Sequence, residues 1–575
     1  MAVISIRSFG GIAPRFNPRY LPDPRAQTAT NVDTSKRGSL VPIKNAGSSV
    51  ASFGANVKTL GRYESNDVNY WVAGQNKTSF AKSQLTNDTR EFMFLTIDEN
   101  NTTRPPLFSF DTYIDTPPQS ALYGLYGFTA YFGLGVPAPS SAPTVTLRSE
   151  DSEGADQEGG ITEEEAAGKT REYRSYVTTY VWTIGGREME SGPSPASDSL
   201  PVFLESSEYL RVTLPNSLPT YPTDYGISGS PLGMQASAVK VRLYRSVGGE
   251  FLLVNSTGDY SLTNGPVDDT TLAEDLGEPI PSITWGLPPR DLKGLTNMSN
   301  GIVAGFTGRD VYFSEPYVTH AWPVSYVISV DSPIVALASL DTTLVVLTKE
   351  RPYFIQGSTP EFLTLVEADA DQGCVSADSV ATMNGEVYFA SPDGLIATSP
   401  RGTRIITEAL FGYRDWNTTF NISTIKGFTH DLKYFGFSNS LDFIYDIPTG
   451  EITTFNIGIQ AAVTDHADDT LYVVLTDRTV REWGAGSNLS YTWKSKVFGL
   501  PSEASFSAMQ VEAETYNLTA KVYVDGTLLH TQTVTSRNAF RLPSVLGRDW
   551  VIELTGDKEV YNVALAQSIT ELAGA

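Results

Sequence analysis

Between residues 301 and 486, apolar and polar positions recur in one repeated order. A β-branched and aromatic run is followed by a short polar turn and a second run of the same kind, at 344–355, 387–398, 434–445 and 471–483. Each such segment predicts a β-hairpin. The starts lie 43, 47 and 37 residues apart, and a period of roughly 40 to 50 residues is that of a four-stranded propeller blade. A lone hairpin cannot bury both faces, whereas blades packed side by side around an axis can, and they leave a central channel. Short runs at 58–63, 68–73 and 91–96 predict one further blade or its outer strands.

The pattern changes outside these blades. Residues 172–281 carry short strands at 173–183, 209–214, 239–245 and 251–254, broken by Gly185-Gly186 and by Pro193 and Pro195. That spacing predicts a separate β-sandwich, foldable by itself. The proline series 137–143 predicts a semi-rigid linker at the end of a first propeller portion, 46–148, with the main blades at 290–500. Residues 501–575 hold five more strands, with Asp525-Gly526 as a hairpin turn, and form either the last blade or a small platform domain. The chain is expected to be all-β: a propeller with an inserted sandwich and a C-terminal β segment.

Charge adds two features. Residues 149–171 open with eight acids and no base up to Gly168, a run that repels itself and is expected to be a mobile loop. Residues 1–45 carry seven basic residues against Asp23 and Asp33, with Pro14, Pro18, Pro22 and Pro24 among them, and are expected to form an extended basic arm. Arg7, Arg15, Arg19 and Arg25 are its candidate assembly contacts.

The 575 residues exceed what a single core normally serves, so several domains are expected. Their 41% hydrophobic share is enough for packed cores. Acids outnumber bases 65 to 41, for a formal charge of −24, the opposite of a protein that grips DNA by covering its phosphates. The single cysteine, Cys374, excludes an intrachain disulfide. Neither a signal peptide nor a membrane span is expected.

Several segments are similar to tail proteins of short-tailed double-stranded DNA phages. In the order Tyr176-Val-Thr-Thr-Tyr-Val, Glu190-Ser-Gly-Pro-Ser-Pro195, Val241-Arg-Leu-Tyr-Arg-Ser246 and Leu276-Gly-Glu-Pro279, residues 172–281 resemble those proteins' fibronectin type III-like insertion. Val311-Tyr-Phe-Ser-Glu-Pro316, Gly373-Cys-Val-Ser376, Val387-Tyr-Phe-Ala-Ser-Pro-Asp-Gly394 and Phe540-Arg-Leu-Pro543 resemble the tail nozzle, or packaged-DNA stabilisation, proteins. The resemblance implies a homo-oligomer, expected to be a hexamer, that forms the distal DNA channel of a virion tail assembled in the host cytoplasm. It also implies a tail adaptor as partner, a platform for tail fibres, spikes or needles, and transient passage of double-stranded DNA. These motifs are turn and packing signatures and name no catalytic residue.

No catalytic residue, metal site or cofactor is expected, and the chain is read as a non-enzyme. The four histidines stand at no metal-ligand spacing. Ser391-Pro-Asp393-Gly394 resembles the aspartate-box turn of sialidases but lacks its intervening residue and its aromatic, which leaves a hairpin turn. The candidate channel-lining acids are Glu367, Asp369 and Asp371, at alternate positions of one strand, and Asp465, Asp468 and Asp469 on a loop between blades. Two alternatives stand beside the nozzle. One is a glycan- or receptor-binding propeller using Trp322, Trp416, Trp483 or Trp493; the other is a propeller glycosidase with paired carboxylates.

Overall fold

The computed structural model describes residues 3–65, 68–84, 92–98, 105–114, 124–151, 153–222, 234–254, 258–465 and 468–572. Seven antiparallel sheets among them stand around one axis as the blades of a propeller. In chain order, blade 1 is Thr59–Ser65, Val68–Gly74 and Leu125–Tyr126, and blade 2 is Thr78–Lys82, Phe92–Ile97, Leu107–Phe110 and Phe132–Gly133. Blades 3 to 6 are built wholly in sequence order from their innermost strands Lys293–Asn297, Ile334–Leu340, Ala381–Met383 and Lys426–His430. Blade 7 combines Ile459–Asp465, Thr470–Leu475 and Thr479–Glu482 with Ser49–Ser52, an outer strand from the other end of the chain. That pairing closes the ring. Adjacent innermost strands touch all the way round, including Ile459–Asp465 against Thr59–Ser65 and Thr78–Lys82 against Lys293–Asn297.

Residues near the axis must be small because seven strands converge there. Ala336, Ala338, Ala461 and Ala462 lie buried on innermost strands, and a Cβ on Gly427 would fall 2.3 Å from the Ser379 carbonyl oxygen. Farther out, larger side chains fill the wedge between blades: Phe435, Phe437, Phe455, Leu471 and Val473 between blades 6 and 7, and Val345, Phe354, Val387 and Phe389 between blades 4 and 5. This gradient of side-chain size is what lets flat sheets pack radially.

The C-terminal segment is a platform domain and leaves ring closure to Ser49–Ser52. One of its sheets is Val3–Ile6, Val560–Ala566, Ala508–Ala513 and Phe540–Arg541. The other runs from Tyr491–Lys494 through Gly547–Gly556 and Leu518–Val524 to Thr527–Val534. Thr28–Thr30 pairs in parallel with Glu451–Phe455 of blade 6 and antiparallel with Tyr491–Lys494, so that one sheet runs from the ring into the platform.

Three boundaries differ from those expected. Residues 3–45 are built into this chain's own platform and blade 6 and are no free arm. Residues 149–171 are no mobile loop as a whole, since the inserted sandwich begins at Thr144–Glu150, which pairs with Glu208–Thr213 and with Asp156–Glu158. The acid run is tolerated because Arg148 and Arg211 bracket Asp156 at 2.6 and 2.8 Å, holding its carboxyl well below the usual range. The insertion is also not a self-contained unit. Trp182 lies 5.8 Å from Phe108 and 5.9 Å from Phe132 of blade 2, inside one continuous core.

Candidate functional site

The axis of the ring holds a cavity of about 810 Å³ lined by the innermost strands of all seven blades. Its charged lining residues, among those described, are Lys58, Lys77, Lys293, Lys426, Asp98 and Asp378. Lys58 and Lys77 immediately precede the innermost strands of blades 1 and 2, and Lys293 and Lys426 begin those of blades 3 and 6. Innermost strands of a propeller run the same way along the axis, so these residues gather at one mouth. Across that mouth the Lys77 ammonium donates to Asp378 at 2.6 Å, joining blade 2 to the turn that leads into blade 5.

Burial sets the electrostatics of the others. Asp98 accepts from Ser79 Oγ at 2.6 Å, Thr96 Oγ1 at 2.8 Å and the Gly294 amide at 3.1 Å. Desolvation nonetheless raises its carboxyl above the ordinary value. Lys426 donates to the Gln460 carbonyl oxygen at 2.5 Å. Its ammonium is pushed down mainly by burial, with Asp378 opposing and Lys58 and Lys77 adding repulsion. The cavity therefore offers ammonium donors and hydroxyls, with one carboxylate held by a lysine and one carboxyl raised by burial. Such a site suits an anion or a polyol.

None of the six acids singled out in the sequence lines this cavity. Glu367 ends the outermost strand of blade 4, and Arg351 binds it at 2.9 Å and Asp371 at 2.6 Å. Asp369 is exposed beside them. Asp465 ends the innermost strand of blade 7 but is buried 3.0 Å from Arg62, whose guanidinium stacks 4.2 Å from the Trp71 ring centroid. Asp468 accepts from Tyr472 Oη at 3.1 Å, and Asp469 is exposed, 4.0 Å from His430 Nδ1. The strand expected to carry all three acids stops at Glu367, the last residue of the outermost strand Thr364–Glu367, and Asp369 and Asp371 follow it outside any strand, so the alternation at 367–371 marks no strand face.

Of the four arginines taken as assembly contacts, three are used within the chain. Arg15 donates to the Glu408 carbonyl, Arg19 pairs with Asp549, and Arg25 pairs with Glu451, which also accepts from the Gly11 amide at 2.6 Å. Arg7 is exposed. The tryptophans considered for glycan contact are mostly interior: Trp322, Trp416 and Trp493 are buried, and Trp483 packs 5.5 Å from Phe435 and from Phe455. His320 is buried, His430 and His530 are partly buried, and His466 lies outside the described residues. Among the described residues, no three His, Cys, Asp or Glu side chains are grouped so as to hold a metal ion, and no helix is long and apolar enough to cross a membrane. The four lysines of the mouth were overlooked in the sequence. Once the blades are phased, a lysine at the start of four innermost strands is the signal that finds them.

No family model matches this chain, and no curated protein does. Solved structures similar to it include the extracellular domain of a putative one-component system from B. thetaiotaomicron, 10% identical over 90% of this chain and 69% of that one, with a TM-score of 0.26. A glycoside hydrolase family 43 arabinoxylan arabinofuranohydrolase from Bacillus subtilis is 12% identical over 63% and 93% of the two chains, with a TM-score of 0.17. An exo-β-1,3-galactanase from Phanerochaete chrysosporium is 9% identical over 74% and 100%, with a TM-score of 0.18. The expectation of a non-enzyme is corrected here, because two of these neighbours are glycoside hydrolases. At such TM-scores the likeness assigns this chain no reaction.

Proposed function

We propose that the chain is a structural subunit of a short phage tail, a nozzle that assembles as a homo-oligomer, six copies by family resemblance, and conducts packaged DNA. The supporting observation is the order of its parts. A sandwich enters between blades 2 and 3, and a platform extends the sheet of blade 6, the same order in which the phage-like motifs occur along the sequence. In this reading DNA passes through the lumen between subunits. A cavity of about 810 Å³ does not admit a duplex whose major groove alone is about 12 Å wide. A charge of −24 per chain repels a polyanion from every side of such a lumen, which limits phosphate contacts and therefore friction. The tail adaptor and a fibre, spike or needle protein are the partners proposed, and the virion tail the location. Native mass spectrometry of the full chain, alone and with its tail adaptor, is expected to show a closed ring of about six copies. A monomer under both conditions overturns the proposal.

A second reading, a propeller glycosidase, has one observation in its favour: Asp98 and Asp378 share the axial cavity, and burial raises the carboxyl of Asp98. A pair of carboxyl groups facing one cavity, one of them raised by burial, is the kind of pairing that glycoside hydrolysis uses. Release of nitrophenol from a panel of aryl glycosides, abolished by both Asp98→Asn and Asp378→Asn, would establish it. Turnover that is absent, or unchanged in either variant, removes it.

A further inference from the structure

We propose that the lysine-rich mouth of the axial cavity is a binding site for a compact oligophosphate, a ligand with several phosphate charges within one small molecule. The first ground is a local reversal of charge. The whole chain carries 65 acids to 41 bases, yet the cavity is lined by four lysines and two aspartates. The lysines come from blades 1, 2, 3 and 6, so they converge from different sides on one space and do not form a stripe along one strand.

The second ground is how the two aspartates are used. Asp378 is engaged by Lys77 at 2.6 Å. Asp98 is half-buried under three hydrogen bonds, from Ser79, Thr96 and Gly294, and it faces those donors. Lys426 is buried enough that both desolvation and the neighbouring Lys58 and Lys77 disfavour its charge. A multivalent anion between these ammonium groups offsets their repulsion and gains charge-assisted hydrogen bonds in a partly desolvated space. The volume, about 810 Å³, falls in the range of small-ligand pockets, about 300–1,000 Å³. It holds a triphosphate and excludes a nucleic-acid duplex, so this site is distinct from any DNA lumen and stands whether or not the chain is a nozzle.

The test is calorimetric titration of the full chain with sodium tripolyphosphate, ATP, inorganic phosphate and citrate at constant ionic strength. Saturable binding of tripolyphosphate is expected, with inorganic phosphate at least tenfold weaker. ATP binding as tightly as tripolyphosphate would identify a nucleotide as the source of the phosphates, and ATP binding more weakly an inorganic chain. Lys58→Gln combined with Lys293→Gln should weaken binding at least tenfold, while Lys240→Gln, on the inserted sandwich, should leave it unchanged. Amine acylation of the wild-type chain, read by mass spectrometry, gives an answer independent of variant folding: tripolyphosphate should protect Lys58, Lys77, Lys293 and Lys426 and leave Lys240 reactive. Citrate binding equal to tripolyphosphate refutes the phosphate class. Heat that tracks ionic strength alone, or protection spread evenly over all lysines, overturns the site.

Discussion

The inserted sandwich and the C-terminal platform are both β-sandwiches fixed to the same ring, yet they are filled and attached differently. In the insertion Arg245 meets Asp269 at 2.8 Å with neither side chain exposed, and Tyr176 Oη donates to the same carboxylate at 2.7 Å. Close by, Glu190 accepts from Thr179, Tyr244 and Arg242. In the platform, every buried side chain described from residue 498 onward is apolar, with Trp550, Phe506, Val511 and Ile552 at its centre. The insertion is held to the ring by side chains, through Trp182 against blade 2; the platform shares a side-chain core with blades 5 and 6 and, in addition, a sheet through Thr28–Thr30. Side-chain attachment can be removed by one substitution, whereas a shared sheet yields only when the backbone itself is broken.

The largest effects should therefore fall in the insertion. Arg245→Ala leaves Asp269 buried without its guanidinium and should cost about 3–5 kcal/mol by urea denaturation. The apolar pair Arg245→Met with Asp269→Leu should recover most of that loss, because a buried ion pair is often no better than hydrophobic residues of similar volume. Trp182→Ala should cost about 3–5 kcal/mol and split melting into two calorimetric transitions. A single transition with a loss below about 1 kcal/mol would show that the two attachments are equivalent. In the platform, Ala29→Pro removes an inter-strand hydrogen bond and should uncouple Trp550 fluorescence from ring unfolding.

Acid should separate the two regions by a smaller margin. His320 is buried where the exit from the insertion meets the ring, its ring 5.6 Å from that of Trp285. Burial, with the Arg187 guanidinium adding to it, pushes its imidazole down to about 3. An unfolded chain takes up that proton near pH 6.5, so the folded state keeps its full stability above 6.5 and loses it as pH falls toward 3. At pH 5 the loss should be about 2 kcal/mol. Asp442 of blade 6 acts in the opposite sense: burial raises it to about 6, so its contribution is complete below the unfolded value near 3.8 and disappears as pH rises through 6. The difference between wild type and His320→Leu, measured from pH 7 to 5, isolates the histidine. A difference that stays flat across that range would remove this junction as an acid-sensitive point.

The same contrast explains which parts could be read in the sequence. Blades 4 to 7 were visible because their hairpins are local, alternate cleanly and repeat within about 50 residues. Ring closure was hidden, since Ser52 pairs with Thr479 across more than 400 residues and a four-residue edge strand has no pattern of its own. The acid run at 149–171 looked mobile because its cation, Arg211, lies 55 residues from Asp156. Charge runs are judged from neighbours in sequence, and strand pairing supplies neighbours from elsewhere. The in-chain partners of Arg19 and Arg25 were hidden for the same reason: Asp549 and Glu451 stand at the opposite end of the chain. Of the candidate site, the lysines were legible only after the first strand of each blade could be told from the second, and that order is a property of the ring.

The smallest expected effect concerns those arginines, and it measures how much their contacts add to the hold of the N-terminal segment on the platform and blade 6. Arg19 pairs with Asp549 while its side chain remains 60% exposed. Solvent screening and side-chain entropy limit such a pair to about 0–1 kcal/mol. Arg25 is only 18% exposed and its partner Glu451 11%, and Glu451 also receives the Gly11 amide, so removing Arg25 leaves a nearly buried carboxylate short of its cation. Arg25→Ala should therefore destabilise the single chain clearly more than Arg19→Ala, with both read from urea midpoints at equal slope. Salt distinguishes the causes further: 0.5 M NaCl should erase the Arg19 effect and leave most of the Arg25 effect, because a buried pair is screened far less than an exposed one. If both variants denature like wild type and only oligomerisation suffers, the arginines act between subunits, and the contacts seen within one chain have no weight in its stability.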